Sequence, residues 1–240
     1  MCSDTAFNSS NPFNSSNPSN PSNSSFVRVK ICGMRDRISV SMAVKHGADA
    51  VGFITEVPVN THRKIDRETA RELAAYVPPF VTSIMVFMPD DVKNAIELID
   101  FVKPDAVQVH SAMSIDELVS LKAQSRVKII KTINITDDTS VGDTLDYITA
   151  LKSIVDAVLL DSSMGGKSGG TGIVHDWTKS RDITLRSPLP VILAGGLHPG
   201  NIADAVSTVR PFGVDTVSGV ETDRKIDEEK VKMFIKNARG

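Results

Sequence analysis

The chain has 240 residues, a formal net charge of -2 and an apolar fraction of 41%. That length suits one large domain with a well-buried core, and the near-balanced charge leaves no footprint for nucleic acid or an anionic membrane surface. No apolar run approaches the roughly 20 residues that span a bilayer, and the two cysteines are Cys2 and Cys32, so a reduced chain in the cytoplasm is expected, without a membrane segment or structural disulfide.

Residues 1–25 are mostly Ser, Asn and Pro, with an SSNP unit that recurs. Such a stretch cannot bury enough apolar surface to offset the entropy of ordering it, so a disordered tail is expected. It lacks the basic start and continuous apolar stretch of a signal peptide. From Phe26 onward the pattern becomes strand, then helix, repeated. A first Val/Ile-rich strand over Phe26 to Cys32 leads to a helix over Ile38 to His46, with Asp36 as N-cap and Gly47 as its stop. A second strand, Asp49 to Ile54, precedes a helix capped by Asp66, in which Ala70, Leu73, Ala74 and Val77 make one apolar stripe. The third strand, Phe80 to Phe87, is followed by the same spacing at Val92, Ala95, Ile96 and Ile99. After a strand at Asp105 to Val109, Ser114 and Glu117 form a capping-box pattern. A strand at Val127 to Thr132 and a helix at Gly142 to Ile154 come next, then a strand at Ala157 to Asp161 and a helix at Trp177 to Arg186. The last two units pair Pro190 to Ala194 with a stripe at Ile202, Ala205, Val206 and Val209, and Gly213 to Val217 with a helix over Lys225 to Ala238.

Strictly alternating units imply a parallel sheet with crossover helices. Eight of them in little over 200 residues match a closed (β/α)8 barrel occupying residues 26–240 as one α/β domain. An open doubly wound sheet is the competitor, but its G-x-G-x-x-G fingerprint is missing where the first strand ends, in KICGMRD.

Barrel active sites form at the C-terminal ends of the strands, which selects a few residues. Cys32 ends the first strand; a cysteine there is either a base or nucleophile with a lowered pKa, or a small buried hydrophobe. Asp161 ends the sixth strand and would act as an acid if a partly apolar setting raised its pKa, or else would bond to the glycine-rich loop that follows. Asp215, inside the eighth strand, is a weaker candidate that could instead hydrogen-bond a neighbouring loop. Glycines cluster in MGGKSGGTG (164–172), AGGLHPGN (194–201) and SGVE (218–221), where backbone N–H groups and helix N-termini suit a phosphate. Arg63 follows the second strand, and its planar fork suits a carboxylate. The five histidines show no metal-ligand spacing, so no metal is expected; Phe53 and Trp177 read as core.

These residues carry a resemblance. The segments VKICGMRD (29–36), GADAVGFI (47–54), VQVH (107–110), LLDSSMGGKSGGTGIVHDW (159–177), LAGGLHPGNI (193–202) and VDTVSGVE (214–221) run in order and resemble the phosphoribosylanthranilate isomerase family. The resemblance implies an Amadori rearrangement of a phosphosugar substrate in tryptophan biosynthesis, with no cofactor because no redox step occurs. It implies Cys32 as general base, Asp161 as general acid and Arg63 as the holder of the anthranilate carboxylate. It also implies that Gly195, Gly196, Ser218 and Gly219 help bind the phosphate. The chain departs from the family pattern at Val217, where serine is common, at Ser111, where glycine is usual, and at His175, where an aromatic is common. The alternatives are another phosphosugar barrel enzyme of tryptophan or histidine biosynthesis, which would need a different acid–base pair, and a non-catalytic phosphosugar-binding barrel, which would need none.

Overall fold

In a computed structural model, residues 26–162 and 177–240 are described. The expected tail (1–25), the glycine-rich segment 164–172 and His175 lie outside them. Eight parallel strands alternate with eight helices: β1 (Arg28–Ile31), α1 (Arg37–Lys45), β2 (Ala50–Ile54), α2 (Arg67–Tyr76), β3 (Thr82–Phe87), α3 (Val92–Val102), β4 (Ala106–Val109) and α4 (Ile115–Gln124) form the first half. The second half comprises β5 (Lys128–Ile135), α5 (Val141–Ala150), β6 (Ala157–Ser162), α6 (Trp177–Arg186), β7 (Val191–Leu193), α7 (Ile202–Val209), β8 (Gly213–Thr216) and α8 (Glu228–Arg239). Each strand pairs with the next, and β8 pairs in parallel with β1, closing the barrel.

Local chemistry explains where the helices begin. The Asp36, Asp66 and Asp91 side chains accept from the N–H groups of Ser39, Thr69 and Asn94. Ser114 and Glu117 close the expected capping box on α4. Gly47, with φ of +93°, follows α1 in the left-handed conformation that stops a helix.

One expectation is corrected. Lys225 and Ile226 are not helical but form strand β10 (Lys225–Ile226), paired with β9 (Glu221–Thr222). The turn residues Asp223 and Arg224 both have positive φ, as a tight hairpin requires. With no glycine there, the turn has little signature, and α8 starts only after its cap Asp227 bonds Lys230.

The core has two layers. Outward strand residues such as Val29, Ile31, Phe53, Met85, Phe87, Val107 and Leu160 pack on the helix stripes in one continuous cluster. Inside the barrel a smaller plug of Ile84, Ala106, Ile130, Ala157, Leu159, Ile192 and Ala194 fills the lower interior. Alanines alternate with branched aliphatics in the inner set because eight converging strands leave limited room per side chain.

At the N-terminal rim a device repeats three times. Asp-Ala-Val opens β2, β4 and β6, and each Asp accepts a backbone N–H from the preceding strand: Asp49 from Val29 (2.7 Å), Asp105 from Ser83 (2.8 Å) and Asp156 from Ile129 (2.9 Å). Each carboxylate thereby satisfies a strand-end donor that has no ladder partner. Burial works against the charge of Asp156, but Lys122, the Ile129 N–H and Lys128 outweigh it and hold its carboxyl below the usual range. A depressed pKa contributes stability that is present above the unfolded-state value and is lost as pH falls through the folded one. Asp156→Asn should therefore cost about 1–2 kcal/mol at neutral pH, and the gap to wild type should close in acid. Urea unfolding at neutral pH and in acid checks this; a gap that does not change with pH would refute it.

Candidate active site

The inward positions near the C-terminal rim are where the interior turns polar. A pocket there is lined by Cys32, Arg63, Gln108, His110, Asp161 and Asp215, with Ile54, Val57, Val59, Val86, Met88, Leu159 and Val217 as its apolar walls. Three of the sequence-selected residues, Cys32, Asp161 and Arg63, are thus brought together from β1, β6 and the segment after β2.

Cys32 follows β1 directly, is 2% exposed and donates its backbone N–H to Thr216 O at 2.9 Å. Gly33 turns the chain away with φ of +84°. Burial pushes the thiol up to about 11 against the pull of Lys30, with Asp215 pushing the same way as burial. In the resting site Cys32 is therefore a protonated thiol at neutral pH, whereas the sequence reading asked for a lowered pKa. The cause is a nearly dry setting that disfavours an anion. The space Cys32 occupies exists because position 52 is glycine: a Cβ there would lie 2.6 Å from Cys32 Sγ and 2.9 Å from Lys30 Cε.

Asp161, at the end of β6, lies with one carboxylate oxygen 3.8 Å from His110 Nε2. His110 was not selected by metal spacing, although its place just after β4 could have flagged it by the same strand-end rule. The Ser111 carbonyl accepts from buried Lys131 at 2.8 Å, which ties the segment carrying His110 to β5. Burial pulls the Lys131 pKa down to about 8.

Arg63 is already oriented. Its Nε lies 3.0 and 3.2 Å from the two Glu221 carboxylate oxygens, and Nη2 is 2.6 Å from one of them. Burial opposes the Glu221 charge, but Arg63 and then His62 outweigh it and keep the carboxyl below its usual range. Among the described residues Nη1 has no partner, so one corner of the guanidinium is left for another anion.

Asp215 is placed differently from the expected loop contact. It faces Lys30 in the β1–β8 register, and Lys30 Nζ donates to Asp215 Oδ2 and to Gln108 Oε1, both at 2.8 Å. Neither Lys30 nor Gln108 was selected from the sequence. A lysine in an apolar strand gives no local sign that it points into a barrel.

Gly195, Gly196, Ser218 and Gly219 do not line the pocket itself, but follow β7 and β8 at the same rim, beside Val217, which does. Gly195 and Gly196 have φ of +86° and +66°, and among the described residues neither amide donates to another group. Gly219 lies in a single 3-10 turn (Ser218–Val220), pressed so closely on the preceding loop that a Cβ would fall 1.9 Å from Leu197 O.

Gly52→Ala should displace Cys32 and Lys30 and, as an overpacked interior site, destabilise the barrel by about 1–3 kcal/mol. Thermal unfolding and thiol reactivity would report both effects; a variant with wild-type stability and wild-type thiol chemistry would contradict the crowding argument.

The sequence model of N-(5'phosphoribosyl)anthranilate (PRA) isomerase matches residues 29–237. The chain is similar to the N-(5'-phosphoribosyl)anthranilate isomerase of Methanosarcina acetivorans, with 46% identity over 88% of this chain and 93% of that one. The Haloferax volcanii isomerase is 44% identical over 89% of this chain and 95% of that one. Among solved structures, the Thermotoga maritima phosphoribosylanthranilate isomerase aligns with a TM-score of 0.78 at 33% identity, over 89% of this chain and 99% of that one. A phosphoribosylanthranilate isomerase in complex with reduced 1-(O-carboxyphenylamino)-1-deoxyribulose 5-phosphate aligns with a TM-score of 0.75 at 32% identity, with the same two coverages. With the barrel, the rim pocket and these similarities together, the chain belongs to the N-(5'-phosphoribosyl)anthranilate isomerase family.

Proposed function

We propose that the chain converts N-(5-phosphoribosyl)anthranilate to 1-(2-carboxyphenylamino)-1-deoxyribulose 5-phosphate, with Asp161 as general acid and Cys32 as general base. The observation that carries this reading is the convergence of one thiol, one carboxylate and one oriented guanidinium on a single apolar-walled pocket. Asp161 protonates the furanose ring oxygen as the C1–O bond breaks, and the aryl nitrogen lone pair closes the C1=N bond of the Schiff base. Cys32, as thiolate, takes the proton from C2; the released electrons form the C1=C2 bond and neutralise the nitrogen. The enolamine then loses its C2 hydroxyl proton and gains one at C1 to become the ketose. Atoms balance without any oxidant, so the reaction calls for no redox cofactor.

The substrate is a phosphosugar carrying an aryl carboxylate, and the site's parts match its two ends. The free corner of Arg63 suits the carboxylate, while Val57, Val59 and Met88 suit the ring. The amides of Gly195 and Gly196, which donate to no group among the described residues, suit the phosphate with Ser218 and Gly219 beside them. Grip at both ends holds the sugar between acid and base, which lowers the barrier through orientation.

Turnover is followed as loss of substrate fluorescence with the substrate generated in situ. Cys32→Ser and Asp161→Asn should each lose on the order of 100- to 10,000-fold in kcat, with KM changed far less. Turnover surviving in both would reject the acid–base assignment, and no turnover by folded wild type would reject the reaction.

A further inference from the structure

The interior just below Cys32 holds an ionic cluster to which the proposed reaction assigns no task. Lys30 and Asp215 are neighbours across the β1–β8 seam, 4% and 5% exposed, with Nζ 2.8 Å from Oδ2. Gln108 reaches over from β4 to accept a second ammonium proton at 2.8 Å, and its own amide donates to Thr132 on β5. Lys30 Cε and Cys32 Sγ meet at Gly52, where a Cβ would lie 2.9 and 2.6 Å from them, so the end of the lysine runs beside the thiol. The other carboxylate oxygen, Asp215 Oδ1, is buried with no hydrogen-bond partner among the described residues. An ionised buried carboxylate normally fills its acceptor sites, so the bare Oδ1 marks a carboxylate whose charge is incompletely supported and which gains by taking a proton.

We propose that Lys30, Asp215 and Cys32 form one ionic unit that holds a single negative charge, and that Cys32 becomes the thiolate base by passing its proton across the Lys30 ammonium to Asp215. Lys30 gives its N–H proton to Asp215 Oδ2 along their hydrogen bond, and the nitrogen lone pair so freed takes the S–H proton from Cys32. The S–H bond breaks, an O–H bond forms, and the ammonium is regenerated. Total charge is unchanged, so the nearly dry site never has to hold a second buried anion beside the first. Of the groups around the unit, Asp161 and His110 act on Asp215 with opposite signs, Gly52 lies against Cys32 and Lys30, and Gln108 and Thr132 are neutral. Burial pushes Asp215 towards its protonated form against Lys30, and pushes the Cys32 thiol up as well. Lys30 stays charged because Asp215 and Cys32 together outweigh its burial. Lys30 and Asp215 are thus positioning residues, acting through Cys32.

This rests on Cys32 being the base, yet it is read by a measurement independent of turnover. In a Cys2→Ser background, the ultraviolet absorbance of the Cys32 thiolate is titrated against pH, with Cys32→Ser as blank. Asp215→Asn removes the competing anion and should lower the titration by about one pH unit or more, while Lys30→Met should raise it by a similar amount. The acid limb of the kcat/KM profile should move with each, and Lys30→Met should lose on the order of 100-fold in kcat/KM. If Lys30→Met fails to fold around an unpaired Asp215, the Lys30→Met/Asp215→Leu variant replaces it, and its titration should lie well above that of Asp215→Asn because only Lys30 then distinguishes them. Opposite shifts in the two directions support the shared charge. Shifts in the same direction, or no shift in either, overturn it. Loss of turnover in Cys32→Ser tests the base role separately.

Discussion

The closing of β8 onto β1 is the constraint on which the rest depends. An open parallel sheet would leave two edges and one continuous interior face. Closure abolishes both edges and converts every inward position into part of a shared, crowded lumen. The lower lumen is filled by Ile84, Ile130, Leu159, Ile192 and several alanines, and its upper end must hold whatever polar side chains the rim presents. Closure also sets Lys30 opposite Asp215 and Cys32 beside Thr216, pairs that do not exist until the last strand docks.

A lysine and a carboxylate so deeply buried gain little net stability from each other, since the cost of removing both from water offsets their attraction. Well-packed apolar residues of similar size could replace them without loss to the fold. What the pair supplies is a fixed positive charge under Cys32 with no access to water. The same reasoning separates Arg63–Glu221 from the surface pairs. Glu221 uses two of the three guanidinium nitrogens and so points the third, whereas Lys93–Glu97 on α3 lies in solvent and orients nothing. Small residues complete the design: Gly52 concedes the volume that Cys32 and Lys30 need, and Gly219 allows the turn after β8 to lie on the loop after β7.

Much of the fold was legible because its signals are local. Helix stripes repeat at 3.6 residues, and Asp36, Asp66 and Ser114 announce helix starts through hydrogen bonds to residues three positions away. The strand-end rule then pointed to Cys32, Asp161 and Arg63, which do share one pocket. Lys225 and Ile226, expected at the start of the last helix, form β10 instead, and the hairpin is hard to see because its left-handed turn uses Asp223 and Arg224 in place of glycine. The repeated Asp-Ala-Val at Asp49, Asp105 and Asp156 went unread because its meaning lies in the strand before it, 20 to 27 residues away.

The sequence by itself therefore determined the order and kind of the elements and the closed eight-unit architecture, since each follows from short-range periodicity, and position at or after a strand end marked Cys32, Asp161 and Arg63 as candidates. Only the tertiary structure decided the setting of Cys32, buried beside Lys30 and Asp215. Lys30 and Gln108 are 78 positions apart, and Lys30 and Asp215 are 185 apart. Burial and the low dielectric that goes with it are properties of the closed lumen and not of any segment. In an unfolded chain Lys30, Asp215 and Cys32 would each titrate in water without reference to the others, and Gln108 would be an ordinary neutral amide.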